Sequence, residues 1–381
     1  MAYRVPFIDF PKHYLRFREP ILSTIEEVLM RGNLVLRAEL SDFEARFASL
    51  IGSRYAVGVG SGSDALHLAL RAVGVSKEDE VITVSHTCVA TVAAIVNAGA
   101  TPVLVDVGED YNIEPDRLEE AITPRTRAIL PVHLNGRACD TDRILSVAQA
   151  HNLIVVEDAA QGLGARFKGR PVGSFGLAGC FSLYPFKMLG ALGDGGIIVT
   201  DDAEIAKRLR QLRDMGQDRD TGELLCFGFS SRLDNLQAAL VSLKLEYLDR
   251  WIERRREIAR MYEAGLRGLP GLRLPHFRDD RYFDVFLNYC VRSSQRDELV
   301  AHLKSVGVEP LVPISLVKPI HRHPALGLEH FNLPLTEQIA REFFYLPTSP
   351  ELEDAQVNYV IEAIQAFIGR RNLQTAAARH A

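Results

Sequence analysis

Lys187 lies in an apolar stretch, FSLYPFKMLG at positions 181–190. Apolar surroundings disfavour the charged form of an amine, so this setting would lower the pKa of Lys187 and make a neutral nucleophile available. A single lysine in such a stretch is more often a surface residue whose hydrocarbon stem covers apolar groups. The chemical interpretation therefore depends on the groups that accompany the lysine.

Two carboxylates, Glu157 and Asp158, end the apolar run Ile154 to Val156. A carboxylate at the end of a buried strand has to be paired or hydrogen-bonded, because leaving it desolvated is costly. For an isolated aspartate in this position, the simpler interpretation is a cap on the next helix. A chemical role for Asp158 again requires partners.

A run of small residues, GVGSGSDAL at positions 58–66, precedes a helical pattern that continues to Val73. Backbone N–H groups and a serine hydroxyl at such a helix start can hold a phosphate. A tight turn in which Ser63 caps the helix explains the same residues equally well. The run is not a dinucleotide-binding GxGxxG motif, since Ser63 replaces the third glycine, and no GK[ST] follows.

Pyridoxal phosphate (PLP) connects these features. This cofactor needs a lysine amine for a Schiff base, an acid at its pyridine nitrogen and neutral donors around its phosphate. Asp158 and Lys187 both follow strand-like runs, and Gly62 and Ser63 open a helix. Ser182 lies five residues before the lysine, where its hydroxyl could reach the same phosphate. The sequence therefore predicts a PLP site.

Between residues 55 and 215, short apolar runs alternate with helical patterns. Such alternation predicts an α/β fold with a mostly parallel sheet that helices cover on both faces. Ligands bind at the carboxyl ends of the strands in these sheets, where Asp158 and Lys187 are expected. The expected strands are Val81 to Val84, Val103 to Val107, Ala128 to Val132, Ile154 to Val156, Cys180 to Tyr184 and Ile197 to Thr200.

The residue pattern of the C-terminal part predicts a smaller α+β domain. Apolar residues at helical spacing from 233 to 262 predict one long amphipathic helix, which Pro270 to Pro275 ends. The elements expected beyond it are a strand at 284–291 and helices at 295–306 and 351–368. We expect a large PLP-binding domain at 15–250 and a small domain at 251–381, which the N-terminal residues 1–14 join.

The composition is that of an ordinary globular protein, with 47% hydrophobic and 24% charged residues among 381. The net charge is −5, and the sequence has no basic stripe of the kind that binds nucleic acid. No apolar run reaches the length of a membrane span. Five scattered cysteines without a CxxC pair favour reduced thiols and indicate neither a disulfide framework nor a metal site. We expect a cytoplasmic protein without nucleic-acid or membrane partners.

Five motifs in a fixed order carry a family resemblance. They are SGSDALHLAL at 61–70, EDAAQGLGA at 157–165, VGSFG at 172–176, CFSLYPFKMLGALGDGG at 180–196 and SRLDNLQAAL at 231–240. With them the sequence resembles the DegT/StrS family of PLP-dependent sugar aminotransferases, which have the aspartate-aminotransferase type of fold. The resemblance covers nearly the whole chain and implies a PLP-dependent transferase.

The resemblance also implies a role for each site residue. Lys187 would form the Schiff base with PLP and move a proton, while Asp158 would partner the pyridine nitrogen. Gln161 is implied near the ring hydroxyl. Since the family builds each site from two chains, a homodimer is implied. The residues implied to hold the phosphate are Gly62, Ser63 and Ser182.

Three places depart from the family's pattern. Cys88 replaces the usual aromatic residue that stacks on the PLP ring, and as a small polarizable group it packs more weakly there. Ser230 stands where relatives often carry an asparagine that reaches the neighbouring subunit's cofactor. The base-rich stretch Lys318 to Pro324 falls where the family contacts substrate; of a nucleotide-diphosphate contact and a solvated loop, we favour the contact.

The resemblance implies an aminotransferase that moves an amino group, with L-glutamate as donor, to a nucleotide-linked keto sugar in amino-sugar biosynthesis. Amination at C3 and at C4 both stay open. A sugar dehydratase of the same family is disfavoured, because that branch typically replaces the lysine at position 187 by histidine. A cyclitol aminotransferase and a non-catalytic regulatory relative stay open as well. The joint presence of Lys187, Asp158 and the phosphate serines disfavours the regulatory relative.

Overall fold

The computed structural model describes residues 3–378, with side chains up to residue 370. Residues 1–2 and 379–381 of the two expected domains lie outside the described part. Within that part, the strands form one sheet of seven strands and two sheets of three. None of the helices described is long and apolar enough to cross a membrane.

The strands are short and lie in chain order between the helices. Their bounds are β1 (Tyr55–Val59), β2 (Glu80–Val84), β3 (Thr101–Val105), β4 (Thr126–Ile129), β5 (Ile154–Asp158), β6 (Arg166–Phe167), β7 (Arg170–Pro171), β8 (Ala178–Ser182), β9 (Gly196–Thr200), β10 (Leu272–Arg273), β11 (Tyr282–Phe283), β12 (Tyr289–Ser293) and β13 (Phe343–Leu346).

The seven-stranded sheet has the order β1-β9-β8-β5-β4-β2-β3. The pairs β2–β3, β2–β4, β4–β5 and β5–β8 are parallel, whereas β9 is antiparallel to β1 and β8. All six strands expected from the apolar runs are present in this sheet, with ends that differ by a few residues. The predicted α/β fold with a mostly parallel sheet is confirmed.

Helices cover both faces of this sheet and form most of the C-terminal part. Their bounds are α1 (Phe10–Arg31), α2 (Ala38–Ile51), α3 (Gly62–Ala72), α4 (Val89–Asn97), α5 (Leu118–Ala121), α6 (Thr141–Ala150), α7 (Ala203–Arg213), α8 (Asn235–Leu245), α9 (Leu248–Leu266), α10 (Arg296–Ser305), α11 (Ile314–Val317), α12 (Pro334–Glu342) and α13 (Asp354–Ala378).

The prediction of one long helix from 233 to 262 is wrong, because the chain turns between α8 and α9. Glu246 and Tyr247 bond to carbonyls three residues back, and Tyr247 has φ −104° and ψ −4°. The turn is tight enough that apolar residues on both sides keep nearly helical spacing. Tyr247 and Trp251 then pack against Phe17 of α1.

The second group of strands, β10-β12-β13, is antiparallel and packs against α9, α10 and α13. The strand expected at 284–291 forms only at Tyr289–Ser293. Its first residues instead bond to an earlier loop, where Val285 N–H donates to Gly136 O over 2.9 Å. Val5 forms a bridge with Val308, which supports the proposal that the N-terminus joins the small domain. The proposed boundary at residue 250 falls inside α9.

Candidate active site

The carboxyl ends of the central strands surround one cavity of about 750 Å³. Parallel strands bring their carboxyl ends to the same edge of a sheet, so residues far apart in sequence meet there. Asp158 ends β5 and Ser182 ends β8, while Lys187 follows in the loop after β8. The predicted site residues that line this cavity are Gly62, Ser63, Cys88, Asp158, Gln161, Ser182 and Lys187.

Lys187 is held by a compact loop between β8 and β9. Its N–H donates to Tyr184 O over 2.8 Å, and a Cβ on Gly190 would lie 2.5 Å from Pro185 O, so only glycine fits there. The buried Lys244 of α8 supports the loop, because its Nζ donates to Gly190 O over 2.6 Å. Burial lowers the pKa of Lys187, although Asp158 and Cys88 act in the opposite direction. The lowered pKa is a shift in the direction that a carbonyl-binding lysine requires.

Asp158 is buried beneath the cavity with both oxygens bonded. Thr91 Oγ1 donates to Oδ2 over 2.7 Å, and the N–H of Ala160 donates to Oδ1 over 3.1 Å. Burial raises the pKa of Asp158, whereas these two donors and Lys187 lower it. A protonated nitrogen of a bound ring is the kind of partner that would keep this carboxylate charged.

Glu157, the other carboxylate at the end of β5, has a structural role. It is buried away from the cavity and bonds to His133 Nε2 over 2.9 Å. It also accepts bonds from the backbone N–H groups of Gly173, Phe175 and Gly176. The side chain therefore fixes the VGSFG loop beside the sheet.

The turn before α3 forms the other side of the cavity. The helix cap is Ser61, whose hydroxyl accepts the N–H of Asp64 over 3.1 Å, so the alternative in which Ser63 caps the helix is wrong. A Cβ on Gly62 would lie 2.6 Å from Ser182 Cβ and 2.9 Å from Ser182 Oγ. Ser63 is exposed. The arrangement leaves a helix N-terminus and hydroxyls of Ser63 and Ser182 facing one space, as an anion site requires.

Gln161 and Cys88 both line the cavity, and they differ in how the protein holds them. Gln161 Oε1 accepts the N–H of Asn135 over 2.8 Å and Nδ2 of Asn288 over 3.3 Å. Cys88 is exposed and is the residue before α4. A bound ring could therefore meet an oriented amide at Gln161 and a small thiol at Cys88.

The remaining predicted residues are not brought to the cavity of their own chain. Ser230 is exposed, and its hydroxyl accepts a bond from Arg232 Nη2 over 2.7 Å. In the base-rich stretch, Arg322 Nη2 bonds Glu337 over 2.6 Å, and His321 is buried against Ser85. Arg322 and His321 thus bond within the chain, and the nucleotide-diphosphate contact of this stretch stays a prediction.

The structure also adds residues that the sequence analysis missed. Thr91 is a hydroxyl donor to Asp158, while Arg255, Asn288 and Glu309 line the cavity from the C-terminal part. Phe10, at the start of α1, lines it from the N-terminus. No local pattern marks these residues, because they reach the site through chain topology. Among the described residues, no group of three or more His, Cys, Asp or Glu side chains could hold a metal ion.

Known proteins resemble this chain in sequence and in structure. A sequence model of the DegT/DnrJ/EryC1/StrS aminotransferase family matches residues 16–365. The dTDP-3-amino-3,4,6-trideoxy-alpha-D-glucose transaminase of Streptomyces venezuelae is 44% identical over 371 residues, covering 96% of this chain and 97% of the relative. The pleiotropic regulatory protein of Geobacillus stearothermophilus is 40% identical over 369 residues, covering 95% and 98%. The X-ray structure of S. venezuelae DesV superimposes with a TM-score of 0.92 at 43% identity, covering 97% and 99% of the two chains.

Proposed function

This chain belongs to the DegT/DnrJ/EryC1/StrS aminotransferase family, and from that premise we propose that it uses PLP bound at Lys187 to aminate a nucleotide-linked keto sugar. The observation that carries the proposal is the convergence of three groups on one cavity. They are a half-buried amine with a lowered pKa, a buried carboxylate and a helix start free of side-chain bulk.

The residues present fit PLP. A Cβ on Gly62 would lie 2.6 Å from Ser182 Cβ, so glycine lets Ser182 come close to the N-terminus of α3, where a phosphate would meet the hydroxyls of Ser63 and Ser182. Asp158 has a buried oxygen pair to accept a hydrogen bond from the pyridine nitrogen. Cys88 would cover one face of the ring, and Gln161 would lie near the ring hydroxyl. Each of these placements is part of the proposal.

When bound, PLP supplies an electron sink that makes a proton on the amine-bearing carbon removable. Lys187 would hold the cofactor's carbonyl carbon through Nζ, and its amine, when free, would hold or move a proton beside the substrate. A positioned acid–base group of this kind contributes roughly 10²–10⁴-fold. Asp158 would keep the pyridine nitrogen protonated through a charge-assisted bond, and Thr91 keeps the carboxylate oriented.

L-glutamate is the amino donor and a nucleotide-linked keto sugar the acceptor in this proposal. The name of the S. venezuelae relative supports a dTDP-linked sugar with amination at C3. A cavity of about 750 Å³ is large enough for a sugar nucleotide to occupy in part. A regulatory function is favoured by one observation, the 40% identity to a relative named as a pleiotropic regulatory protein.

We also propose that two chains assemble into a homodimer and that the protein works in the cytoplasm. An exposed apolar loop supports assembly, since Leu224 and Phe227 are 75% and 95% exposed. A second copy would cover such a patch. Ser230 follows this loop, so its hydroxyl would approach the partner's site rather than its own. The five unpaired cysteines are compatible with a reducing compartment.

The test is the absorbance spectrum of the purified protein with PLP, before and after L-glutamate. We expect a visible band of bound PLP that glutamate shifts to shorter wavelength. Lys187→Ala should lack the band, whereas Lys304→Ala, which changes an exposed lysine of α10, should keep it. Wild-type protein that binds no PLP would refute the enzyme and favour a regulatory function. A dTDP-linked 3-keto sugar then tests the acceptor.

A further inference from the structure

Arg255 of α9 is a buried arginine at the wall of the cavity. It is 7% exposed, yet it lines the cavity together with Lys187. Its Nη1 donates to Leu287 O over 3.0 Å and to Thr348 O over 3.1 Å. Its Nε is buried and has no hydrogen-bond partner. Both backbone acceptors are neutral, so the guanidinium makes no contact that balances its charge.

The carboxylate that acts on Arg255 from a distance already forms hydrogen bonds with other side chains. This carboxylate is Glu351, which raises the pKa of Arg255 against the larger effect of burial. Its Oε1 bonds to His13 Nδ1 over 2.6 Å, and its Oε2 accepts the hydroxyl of Ser349. Burial lowers the pKa of Arg255 to about 10, so the side chain stays charged at neutral pH. A buried cation without a close anion is costly and indicates that an anion binds there.

The position of Arg255 narrows the choice of anion. Among the described residues that line the cavity, the cationic side chains are Lys187 and Arg255. Lys187 carries out covalent chemistry, which leaves Arg255 as the permanent charge. It also borders a second cavity of about 220 Å³ that lies beside Lys187. A nearly buried guanidinium next to a small cavity suits a compact anion better than a bulky diphosphate.

We propose that Arg255 binds a carboxylate of the amino donor and places the donor's amine beside Lys187. The planar guanidinium matches a carboxylate geometrically, and a charged pair in a dry pocket is strong. This inference rests on the proposed aminotransferase function. Arg255 is thus a donor-binding residue, and its guanidinium also holds the 2-oxo acid until that product leaves. The keto sugar enters after that acid has left, so its binding does not depend on Arg255.

The experiment compares two binding probes on the PLP-loaded enzyme by calorimetry. The probes are 2-oxoglutarate, which carries the donor's carboxylates, and dTDP, which carries a nucleotide diphosphate. In Arg255→Gln we expect 2-oxoglutarate to bind roughly 10- to 100-fold more weakly. The affinity for dTDP and the PLP content should stay within about twofold. Arg260→Gln, on an exposed residue of the same helix, should change neither affinity.

Other outcomes overturn the inference. Equal weakening of both probes, or weakening of dTDP alone, would assign Arg255 to the diphosphate or to general packing. Unchanged binding of 2-oxoglutarate would leave Arg255 with only its bonds to Leu287 and Thr348. If Arg255→Gln fails to fold, Arg255→Lys replaces it, because lysine keeps a cation but lacks the planar fork. The inference then requires that Arg255→Lys binds 2-oxoglutarate more weakly than wild type does, with the affinity for dTDP unchanged. Failure of wild-type enzyme to load an amino group would refute the proposed function, whereas the binding comparison still judges Arg255.

Discussion

The hydroxyl of Thr91 donates a hydrogen bond to Asp158 Oδ2 over 2.7 Å at the buried end of β5. Thr87 Oγ1 lies 2.8 Å from the same hydroxyl and completes a short chain of side chains. The N–H of Ala160 bonds to the other oxygen of Asp158. The carboxylate is thus oriented by the protein itself, and a bound ring nitrogen would meet it already in place.

Thr91→Val should weaken PLP binding by roughly 10- to 100-fold. Valine has nearly the same shape but no hydroxyl, and a hydrogen bond to a charged group contributes about 1.5–3 kcal/mol. The dissociation constant of PLP, measured by fluorescence titration of the cofactor-free protein, checks this. Thr91→Ser keeps the hydroxyl and should stay near wild type. Equal PLP affinity of Thr91→Val and wild type would show that Asp158 needs no hydrogen-bond donor from α4.

Gly62→Ala should reduce PLP affinity by at least about tenfold and lower stability by roughly 1–3 kcal/mol. The new Cβ would lie 2.6 Å from Ser182 Cβ and 3.1 Å from Ser182 Cα, so the phosphate cradle has to widen. Titration with PLP and thermal unfolding measure the two effects. Gly369→Ala is the control, because nothing lies within 4 Å of that position. It should leave PLP affinity unchanged and stabilise its helix slightly.

The local sequence predicted those site residues that lie at the ends of strands or just after them. Asp158 and Ser182 end adjacent parallel strands, and Lys187 follows within a short loop, so their meeting depends only on the sheet. Apolar runs and small-residue turns suffice to locate such residues. The family resemblance then assigned roles to them that the spacing alone left open.

Arg255 and Asn288 could not be located in the same way. They approach the cavity through packing of the C-terminal part on the large sheet, and no periodicity in the sequence encodes that contact. The turn at Tyr247 escaped prediction for a related reason, since a change of one residue's dihedral angles hardly alters apolar spacing. Ser230 stays a prediction, because the resemblance places it at the partner's cofactor and its position outside the cavity of its own chain does not test that role.

Cys88→Tyr should tighten PLP binding by roughly 2- to 10-fold. An aromatic side chain adds about 0.5–1.5 kcal/mol when it stacks on another ring, and Cys88 is exposed to the cavity with room beside it. Competition between apoprotein variants for limiting PLP gives the ratio directly. Cys226→Tyr, at an exposed cysteine that does not line the cavity, is the matched control. Weaker binding in Cys88→Tyr would mean that the ring is covered from elsewhere.

Glu351→Gln should destabilise the protein by about 1–3 kcal/mol at pH 7, and the difference should vanish in acid. Burial raises the pKa of Glu351, but bonds from His13 and Ser349 outweigh it and hold the pKa at about 2, below the ordinary value of 4.5. A carboxyl with a depressed pKa stabilises the fold fully above the unfolded-state value, at about 1.4 kcal/mol per pKa unit. That contribution is lost as the pH falls from 4.5 towards 2.

Urea unfolding of wild type and Glu351→Gln between pH 7 and pH 3 measures this loss. The gap between the two stability curves should narrow as the pH falls below 4.5, because the unfolded-state carboxyl then gains a proton while the folded carboxyl, with a pKa of about 2, stays charged until lower pH. Glu353→Gln, which removes an exposed partner of Lys12, should stay within about 0.5 kcal/mol of wild type at every pH, because solvent screens this pair. A constant gap between Glu351→Gln and wild type across this range would mean that packing, and not the charge of Glu351, stabilises the junction of α1 with the segment before α13.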